Sequence, residues 1–330
     1  MTPDLLRVKI VTTGGTICMK VDPKTGGAVP ALSGEDLVAT VPGLDRAARV
    51  EVEEFMRLPG TDMGPNTWVP LVRRLRAIFD DDPSLAGIVV THGTGLLDEA
   101  AYFVDLGLAE ERPVVFTGAA RNASIWDTDG PRNILGAVRV AASPAARGMG
   151  VLVCLNDQVH AARDAVKRHA NSVEAYMSGD HGLLGNVYGD TVRFYRKPLR
   201  RLHFSVDRID PRVEIVMMYS ECDGRFVQTC IDTKASGIVI QAVNTGNVNT
   251  GLHKALLRAL DAGVVVVLTT NLPMGQVVPI YGYPGGGKAL VDAGAIMAED
   301  LKPRKARLLL MFALGETRDR NRLQDIFHSA

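Results

Sequence analysis

The sequence predicts an α/β protein built on a parallel sheet. Four short apolar runs are typical of strands buried on both faces, because their residues do not alternate between polar and apolar. These runs are residues 8–11, 87–90, 113–116 and 151–154. The segments between them that repeat apolar residues with the helical period are 66–79, 96–108 and 134–142. Strands that alternate with helices in this way predict parallel pairing through right-handed crossovers.

The length of the chain favours two domains over one. It has 330 residues, and a single hydrophobic core rarely grows that large. Residues 194–211 are rich in arginine and contain no long apolar run, so we interpret them as a linker. It would join an N-terminal catalytic α/β domain, residues 1–193, to a C-terminal α/β domain, residues 212–330. The C-terminal elements that we predict are strands at 213–218, 237–240 and 264–268 and helices at 252–262, 302–314 and 320–327.

Composition and charge exclude several classes of protein. Lys plus Arg and Asp plus Glu both number 37, so neither nucleic acid nor an anionic membrane is expected as the main partner. The four cysteines contain no CxxC pair, and neither a zinc site nor a disulfide framework is predicted. The first strand is reached without the apolar stretch of a signal peptide, and no segment has the roughly 18 uninterrupted apolar residues of a membrane span. We therefore expect a cytoplasmic protein.

Two threonines stand in glycine-rich turns directly after predicted strands. Thr16 ends the motif TGGT and Thr94 ends the motif THGT. Each motif taken alone is typical of a simple tight turn, in which glycine supplies positive φ. Open α/β sheets, however, bind ligands at the carboxyl ends of their strands, so both hydroxyls are expected in one cleft. The pair predicts a nucleophile, a partner hydroxyl and an oxyanion site, and hence acyl transfer such as the hydrolysis of an amide.

Lys167 and His92 are the candidate bases for such a threonine. A threonine is a useful nucleophile only with a base beside it. Most lysines are solvated, but a lysine whose pKa is lowered by burial or by nearby cations acts as a base at neutral pH. Lys167 follows the predicted strand at 151–155. His92, inside the THGT turn, is more typical of a structural histidine than of a catalytic base.

Several segments resemble the signatures of one enzyme family. They are 13–17 and 91–94 for its two threonine motifs, then 115–119, 129–133, 156–167, 246–249 and 305–309. On these segments the chain resembles the bacterial-type L-asparaginase/glutaminase family over nearly its whole length. The resemblance implies a larger N-terminal domain and a smaller flavodoxin-like C-terminal domain. It also implies a double-displacement mechanism without metal or cofactor, in a homodimer or homotetramer whose sites lie at the intimate dimer interface.

The resemblance implies a role for individual residues. Thr16 corresponds to the nucleophile that forms the acyl-enzyme, and Thr94 and Lys167 correspond to the second hydroxyl and its base. The substrate-binding positions that it implies are Gly15, Gly60, Thr61, Gly93, Gly95, Asn247 and Asn249. The implied substrate is a small amide, either asparagine or a related compound, from which ammonia is released.

Three positions depart from the family pattern. Gly95 stands where the family has an aspartate that binds the α-amino group of the substrate beside the lysine. Gly60, followed by Thr61, stands where the family has a serine that binds the α-carboxylate of the substrate. The lid normally carries a tyrosine, whereas residues 18–30 contain none and Gly27 aligns with it. Asp98, three residues after Gly95, is expected to face elsewhere.

These departures leave alternatives to asparagine hydrolysis open. Removing a buried charged contact from a ligand costs about 2–5 kcal/mol, so two such losses should weaken the binding of free asparagine. A different amide, a lactam or a lactone is then a rival substrate. The alternative that is not primarily an enzyme is a catalytically weak relative that binds a small molecule and acts as a sensor or regulator.

Overall fold

The computed structural model describes residues 5–330 and divides into two compact units. The first ends at Arg201 and the second begins at Leu202, which places the division inside the segment 194–211 that the sequence marks as a linker. The boundaries 1–193, 194–211 and 212–330 stay predictions. Among residues 5–330, no helix has both the length and the apolar character needed to cross a membrane.

The first unit is built on a mixed sheet. Its strands are β1 (Arg7–Gly14), β2 (Met19–Val21), β3 (Ala28–Pro30), β4 (Arg49–Leu58), β5 (Gly87–Thr91), β6 (Val114–Thr117), β7 (Val151–Leu155), β8 (Gln158–Ala161), β9 (Val166–Lys167), β10 (Tyr176–Met177), β11 (Gly185–Tyr188) and β12 (Thr191–Phe194). Its helices are α1 (Gly34–Ala39), α2 (Leu44–Ala47), α3 (Pro65–Asp81), α4 (Leu97–Gly107) and α5 (Gly130–Ala141). Eight of the strands form one sheet in the order β12-β11-β8-β7-β6-β5-β1-β4.

Only part of this sheet is parallel. Strands β1, β5, β6 and β7 pair in parallel, as the sequence predicts, and β4 also pairs in parallel with β1. Strands β8, β11 and β12 extend the sheet by antiparallel pairing. The parallel part of the sheet is therefore confirmed, and the antiparallel strands at this edge are an addition that the sequence does not predict. The antiparallel strands are short and follow tight turns, so they lack the continuous apolar runs that identify buried parallel strands.

Helices cover both faces of the central strands. Helix α5 packs with Ile10, Val89 and Val115 in one apolar core. Helix α3 begins with a proline at its first turn, where the missing N–H costs nothing, and it buries the apolar face predicted from the sequence. The Trp68 ring of α3 lies 5.5 Å from the Phe103 ring of α4, so these two helices pack against each other.

The order of the parallel strands decides where a ligand site lies. Strands β6, β5, β1 and β4 are consecutive neighbours and point the same way. Their carboxyl ends therefore share one edge of the sheet, and the loops that follow them meet there. Those loops contain Thr16, Gly60, Thr94 and Gly118.

The second unit is a smaller α/β unit with a four-stranded parallel sheet. Its strands are β13 (Val213–Met217), β14 (Gly237–Ala242), β15 (Val265–Thr270) and β16 (Ile296–Met297). Its helices are α6 (Arg225–Asp232), α7 (Thr250–Asp261), α8 (Gly287–Asp292), α9 (Pro303–Glu316) and α10 (Arg320–Ser329). The layers are those of a flavodoxin-like unit: α6 and α7 pack on the side of Ile238 and Ile240, and Leu310 of α9 lies over Gly237. The described strands follow one another in chain order, without the reversal of strand order found in flavodoxin itself.

Candidate active site

The turn after β1 is shaped by two glycines that precede Thr16. Gly14 has φ +111° and Gly15 has φ +89°. A Cβ on Gly14 would lie 2.3 Å from the Leu58 carbonyl oxygen, and a Cβ on Gly15 would lie 2.4 Å from the Gly93 nitrogen. Neither position has room for a side chain. Half-buried Thr16 then opens a short 3₁₀ turn, in which the amide and the thiol of Cys18 both donate to the Gly15 carbonyl at 3.1 Å.

Three loops touch one another through glycine backbones. Gly15, Gly60 and Gly93 follow β1, β4 and β5, respectively. The Gly93 backbone lies against Gly15 on one side, and a Cβ on Gly60 would lie 3.0 Å from the Gly93 Cα on the other. The structure therefore brings three of the predicted binding positions together. Since Thr16 and Thr94 each follow one of these packed glycines, the two threonines belong to adjacent loops.

Thr94 is joined directly to Lys167. The Lys167 Nζ lies 2.7 Å from the Thr94 Oγ1, across 73 residues of sequence. Thr94 is buried, whereas Lys167 is half-buried on the short strand β9, which pairs with β10 in a two-stranded ribbon. This contact is the hydroxyl–amine pair that the sequence predicts, and it has the length of a strong hydrogen bond.

Burial lowers the pKa of Lys167. Loss of solvent lowers the pKa of Lys167, while the negative charge of Asp98 acts in the opposite direction. The net direction is downward, which enlarges the neutral fraction of Lys167 at a given pH. Neutral lysine is the form that accepts a proton, so the site favours a base at this position.

The expectation that Asp98 faces elsewhere is wrong. Asp98 lies in the first turn of α4, its side chain is only 2% exposed, and its charge acts on both Lys167 and His92. A carboxylate is thus present near Lys167, although Gly95 occupies the position beside Thr94.

His92 is a buried, neutral histidine in the second turn. Burial lowers the pKa of His92 to about 4, against opposing effects from the Gly93 carbonyl and Asp98. Its Nδ1 lies 2.9 Å from the Gly93 carbonyl oxygen, so Nδ1–H donates to that oxygen. This hydrogen bond from the His92 ring stabilises the turn that contains Thr94. This contact agrees with the structural role expected from the sequence.

Gly95 is the open position of the second turn. It is exposed, and a Cβ placed on it would meet no atom within 4 Å. Gly60 is tighter, since a side chain there would press on the Gly93 backbone. Thr61 is exposed in the short 3₁₀ turn Gly60–Asp62. Space for a larger group therefore exists beside Thr94 and is limited beside Gly60.

The segment that aligns with the family lid forms a small hairpin. Strands β2 and β3 pair antiparallel, and Asp22 closes their turn by accepting from the Lys24 amide and the Thr25 hydroxyl, both at 3.0 Å. Gly27 is exposed on this hairpin, and a Cβ placed on it would have only the Thr25 hydroxyl oxygen within 4 Å. The hairpin is tied to the loop after β6 where the Ala123 amide donates to the Met19 carbonyl at 2.9 Å.

Asn247 and Asn249 lie in the second unit, and both side chains have structural partners there. The Asn249 Oδ1 accepts from the Leu252 amide at 2.8 Å and so caps helix α7. The Asn247 Oδ1 accepts from the Gly287 amide at 3.1 Å. These contacts use the carbonyl oxygen of each amide and leave the substrate-binding role of both residues a prediction.

Asp129 supports the site in a way that the sequence does not reveal. It stands at the start of α5, but its side chain makes no cap bond to that helix. Its carboxylate instead accepts from the Ala120 and Arg121 amides at 3.0 and 2.9 Å, and from the Asn133 side chain at 3.0 Å. Asp129 therefore holds the loop after β6, whose Gly118 lies against Thr94.

Among the described residues, no group of three or more His, Cys, Asp or Glu side chains is arranged to hold a metal.

Family models match both halves of the chain. The model described as asparaginase, N-terminal, covers residues 7–200. The model described as glutaminase/asparaginase C-terminal domain covers residues 212–327. The two matches together span nearly the whole sequence and fall on the two units of the structure.

Individual relatives agree with these models. The chain is 34% identical to an L-asparaginase from Bacillus licheniformis, over 95% of this chain and 97% of that protein. It is 33% identical to a probable periplasmic L-asparaginase from Haemophilus influenzae, over 98% of this chain and 93% of that protein. A crystal structure of a probable cytoplasmic L-asparaginase from Campylobacter jejuni superposes with a TM-score of 0.91 at 30% identity, covering 98% of this chain and 100% of that one. With its two-unit fold, its paired threonine turns and these matches, the chain belongs to the asparaginase family.

Proposed function

We propose that this protein is an amidohydrolase of the L-asparaginase type, which hydrolyses the side-chain amide of asparagine or a related small amide and releases ammonia. The observation that carries the proposal is the 2.7 Å contact between Lys167 Nζ and Thr94 Oγ1, beside the turn that presents Thr16. Full-length relatives named L-asparaginase support the same activity and favour it over a purely binding role.

In the first half of the proposed reaction, Thr16 is the nucleophile. Its Oγ forms a bond to the amide carbon while the hydroxyl proton leaves toward a base of the site. The C–N bond then breaks, and the nitrogen departs as ammonia after taking a proton. The product is an ester between Thr16 and the acyl group. The glycine turns around Thr16 bring backbone, rather than side chains, up to the reacting atoms.

In the second half, the pair Thr94–Lys167 activates water. Neutral Lys167 accepts the Thr94 proton across their hydrogen bond, and Thr94 in turn takes a proton from water. The resulting hydroxide attacks the ester, the bond to the Thr16 oxygen breaks, and protonated Lys167 returns its proton to that oxygen by way of Thr94. This step releases the acid and restores the Thr16 hydroxyl and neutral Lys167. The lowered pKa of Lys167 supports this role, because it keeps more of the amine in the neutral form.

The proposed specificity depends on the open side of the second turn. Gly95 offers space and no charge, and Gly60 offers no hydroxyl. Asp98 is a buried carboxylate whose charge acts on Lys167. We therefore expect the enzyme to accept asparagine less well than neutral or bulkier small amides.

The test is ammonia release by the purified full chain, measured with L-asparagine, L-glutamine and uncharged small amides. Thr16→Ala should lower kcat by at least about 10³-fold, because the nucleophile is removed. Lys167→Met should lower it by about 10²- to 10⁴-fold, the usual contribution of a general base. Thr191→Ala, an exposed threonine at the sheet edge, is the matched control and should keep wild-type activity.

Three results would contradict the proposal. Hydrolysis that survives Thr16→Ala removes Thr16 as the nucleophile. A wild-type protein that binds amides but releases no ammonia from any of them supports the sensor alternative instead. A lactone or lactam that is opened faster than every linear amide would move the activity to a different ring or ester substrate.

We further propose that the protein assembles as a homodimer or homotetramer with sites at the dimer interface. Light scattering should give a mass of two or four chains of 35.5 kDa, and activity per chain should fall on dilution below the dissociation constant. A fully active monomer contradicts this.

Cytoplasmic location also stays a proposal, since one relative is named as cytoplasmic and another as periplasmic. Fractionation of cells that produce the protein tests it.

A further inference from the structure

Tyr176 contacts the residue at the centre of the proposed mechanism. Its hydroxyl donates to the main-chain carbonyl oxygen of Thr94 at 2.6 Å, and the tyrosine is only 3% exposed. Thr94 is therefore held at two points. Lys167 contacts its side-chain hydroxyl, and Tyr176 contacts its backbone.

The ribbon β9–β10 explains why two side chains reach the same residue. Tyr176 and Lys167 are directly opposed partners in this antiparallel pair. Opposed residues of an antiparallel pair project from the same face, so both side chains extend toward Thr94. The distance between the two contacts is thus set by the ribbon and not by flexible loops.

The ribbon and the tyrosine ring have their own supports. In the connecting turn, the Arg168 amide donates to the Ala175 carbonyl at 2.7 Å. Behind the Tyr176 ring lies the fully buried ring of His160, with 6.5 Å between ring centroids, and its Nδ1 is 2.8 Å from the Ser178 hydroxyl. A ring backed in this way has little freedom to turn, which fixes the position of its hydroxyl.

We propose that Tyr176 is a positioning residue, which holds the Thr94 backbone so that the Thr94 hydroxyl stays in contact with Lys167. The inference rests on the proposed function for its kinetic meaning, while the two-point contact itself is independent of any substrate. The Tyr176 hydroxyl contacts the Thr94 backbone and not the Thr94 hydroxyl, so its proposed effect on the reaction is exerted through Thr94. Without the Tyr176 hydroxyl, the turn at residues 93–95 loses a hydrogen bond that restrains it. It can then move more freely, because no atom lies within 4 Å of a Cβ placed on Gly95.

The experiment replaces only the hydroxyl, by Tyr176→Phe. The loss of one hydrogen bond that aligns the pair should lower kcat about 3- to 10-fold and leave KM within about twofold. The matched control is Tyr195→Phe, which removes a hydroxyl bonded to Tyr188 and Asn186 on exposed strands of the same unit. It should keep the wild-type kcat.

Two further readouts separate positioning from a merely structural role. The acid limb of kcat/KM should move to higher pH in Tyr176→Phe, because a loosened Thr94 lets water reach Lys167 and relieves the burial that lowers its pKa. Asp98 is the carboxylate that acts on Lys167, and it is unchanged in the variant. A crystal structure of Tyr176→Phe should show Thr94 Oγ1 beyond about 3.5 Å from Lys167 Nζ, or in more than one rotamer.

The inference is overturned if Tyr176→Phe retains the wild-type kcat and acid limb. It is also overturned if kcat falls while its crystal structure keeps the Thr94–Lys167 contact unchanged, since the loss then comes from another cause. Failure of the proposed function gives a different result: the wild-type protein itself releases no ammonia. In that case the crystal structures of the wild type and the variant alone decide whether Tyr176 positions Thr94.

Discussion

Replacing Gly15 by alanine tests whether the packed glycine backbones hold the site together. Gly15 has φ +89° and ψ 179°, a conformation that is essentially restricted to glycine and costs other residues about 1–3 kcal/mol. The new Cβ would also lie 2.4 Å from the Gly93 nitrogen and 2.5 Å from its Cα. Ordinary contacts begin near 3.5 Å, so Gly93 must shift by about 1 Å, and such overpacking costs about 1–3 kcal/mol.

The two costs together predict a loss of about 2–6 kcal/mol in the free energy of unfolding. That is a large share of the roughly 5–15 kcal/mol that a folded domain has. Activity should fall further than the folded fraction does, because Gly93 directly precedes Thr94 and its displacement separates Thr94 from Thr16.

Urea unfolding followed by circular dichroism, at one fixed protein concentration, measures the loss in the free energy of unfolding. Gly26→Ala is the matched control, since Gly26 has φ +68° but nothing within 4 Å of a new Cβ. It should cost about 1–2 kcal/mol at most, the backbone component alone. Equal losses for Gly15→Ala and Gly26→Ala would refute the close approach of the two turns.

Three further predictions concern charge and capping. Asp98→Asn removes the charge that raises the pKa of Lys167, so that pKa should fall and the acid limb of kcat/KM should move to lower pH; an unmoved limb would show that Lys167 is not the base. Gly95→Asp adds a carboxylate in open space beside Thr94, so KM for L-asparagine should fall about tenfold, the effect of one charge-assisted contact, and the acid limb should move to higher pH. An unchanged KM would mean that the substrate ammonium does not bind there. Asn249→Ala should cost about 1 kcal/mol of stability because the cap on Leu252 is lost, whereas Asn249→Asp should lose little; urea midpoints that do not distinguish the two variants would contradict the cap.

Local sequence patterns predicted most of the elements that carry the site. Buried parallel strands such as β5 and β6 have continuous apolar runs, and long amphipathic helices such as α3 have a clear period, so both can be identified from sequence. Strand β4 was not predicted, because it lies at the edge of the sheet and half of its residues are charged, with none of the ten fully buried. The two-residue strands β9 and β10 are too short for any period to be recognised.

The sequence by itself determined the α/β class, the two threonine turns and the pairing of Thr94 with Lys167. These follow from composition, periodicity and the resemblance of local motifs. Only the tertiary structure decided that Asp98 acts on Lys167 and that Tyr176 holds the Thr94 backbone. Both interactions join segments whose relative position depends on helix rotation and strand register, and a local pattern of residues determines neither of these.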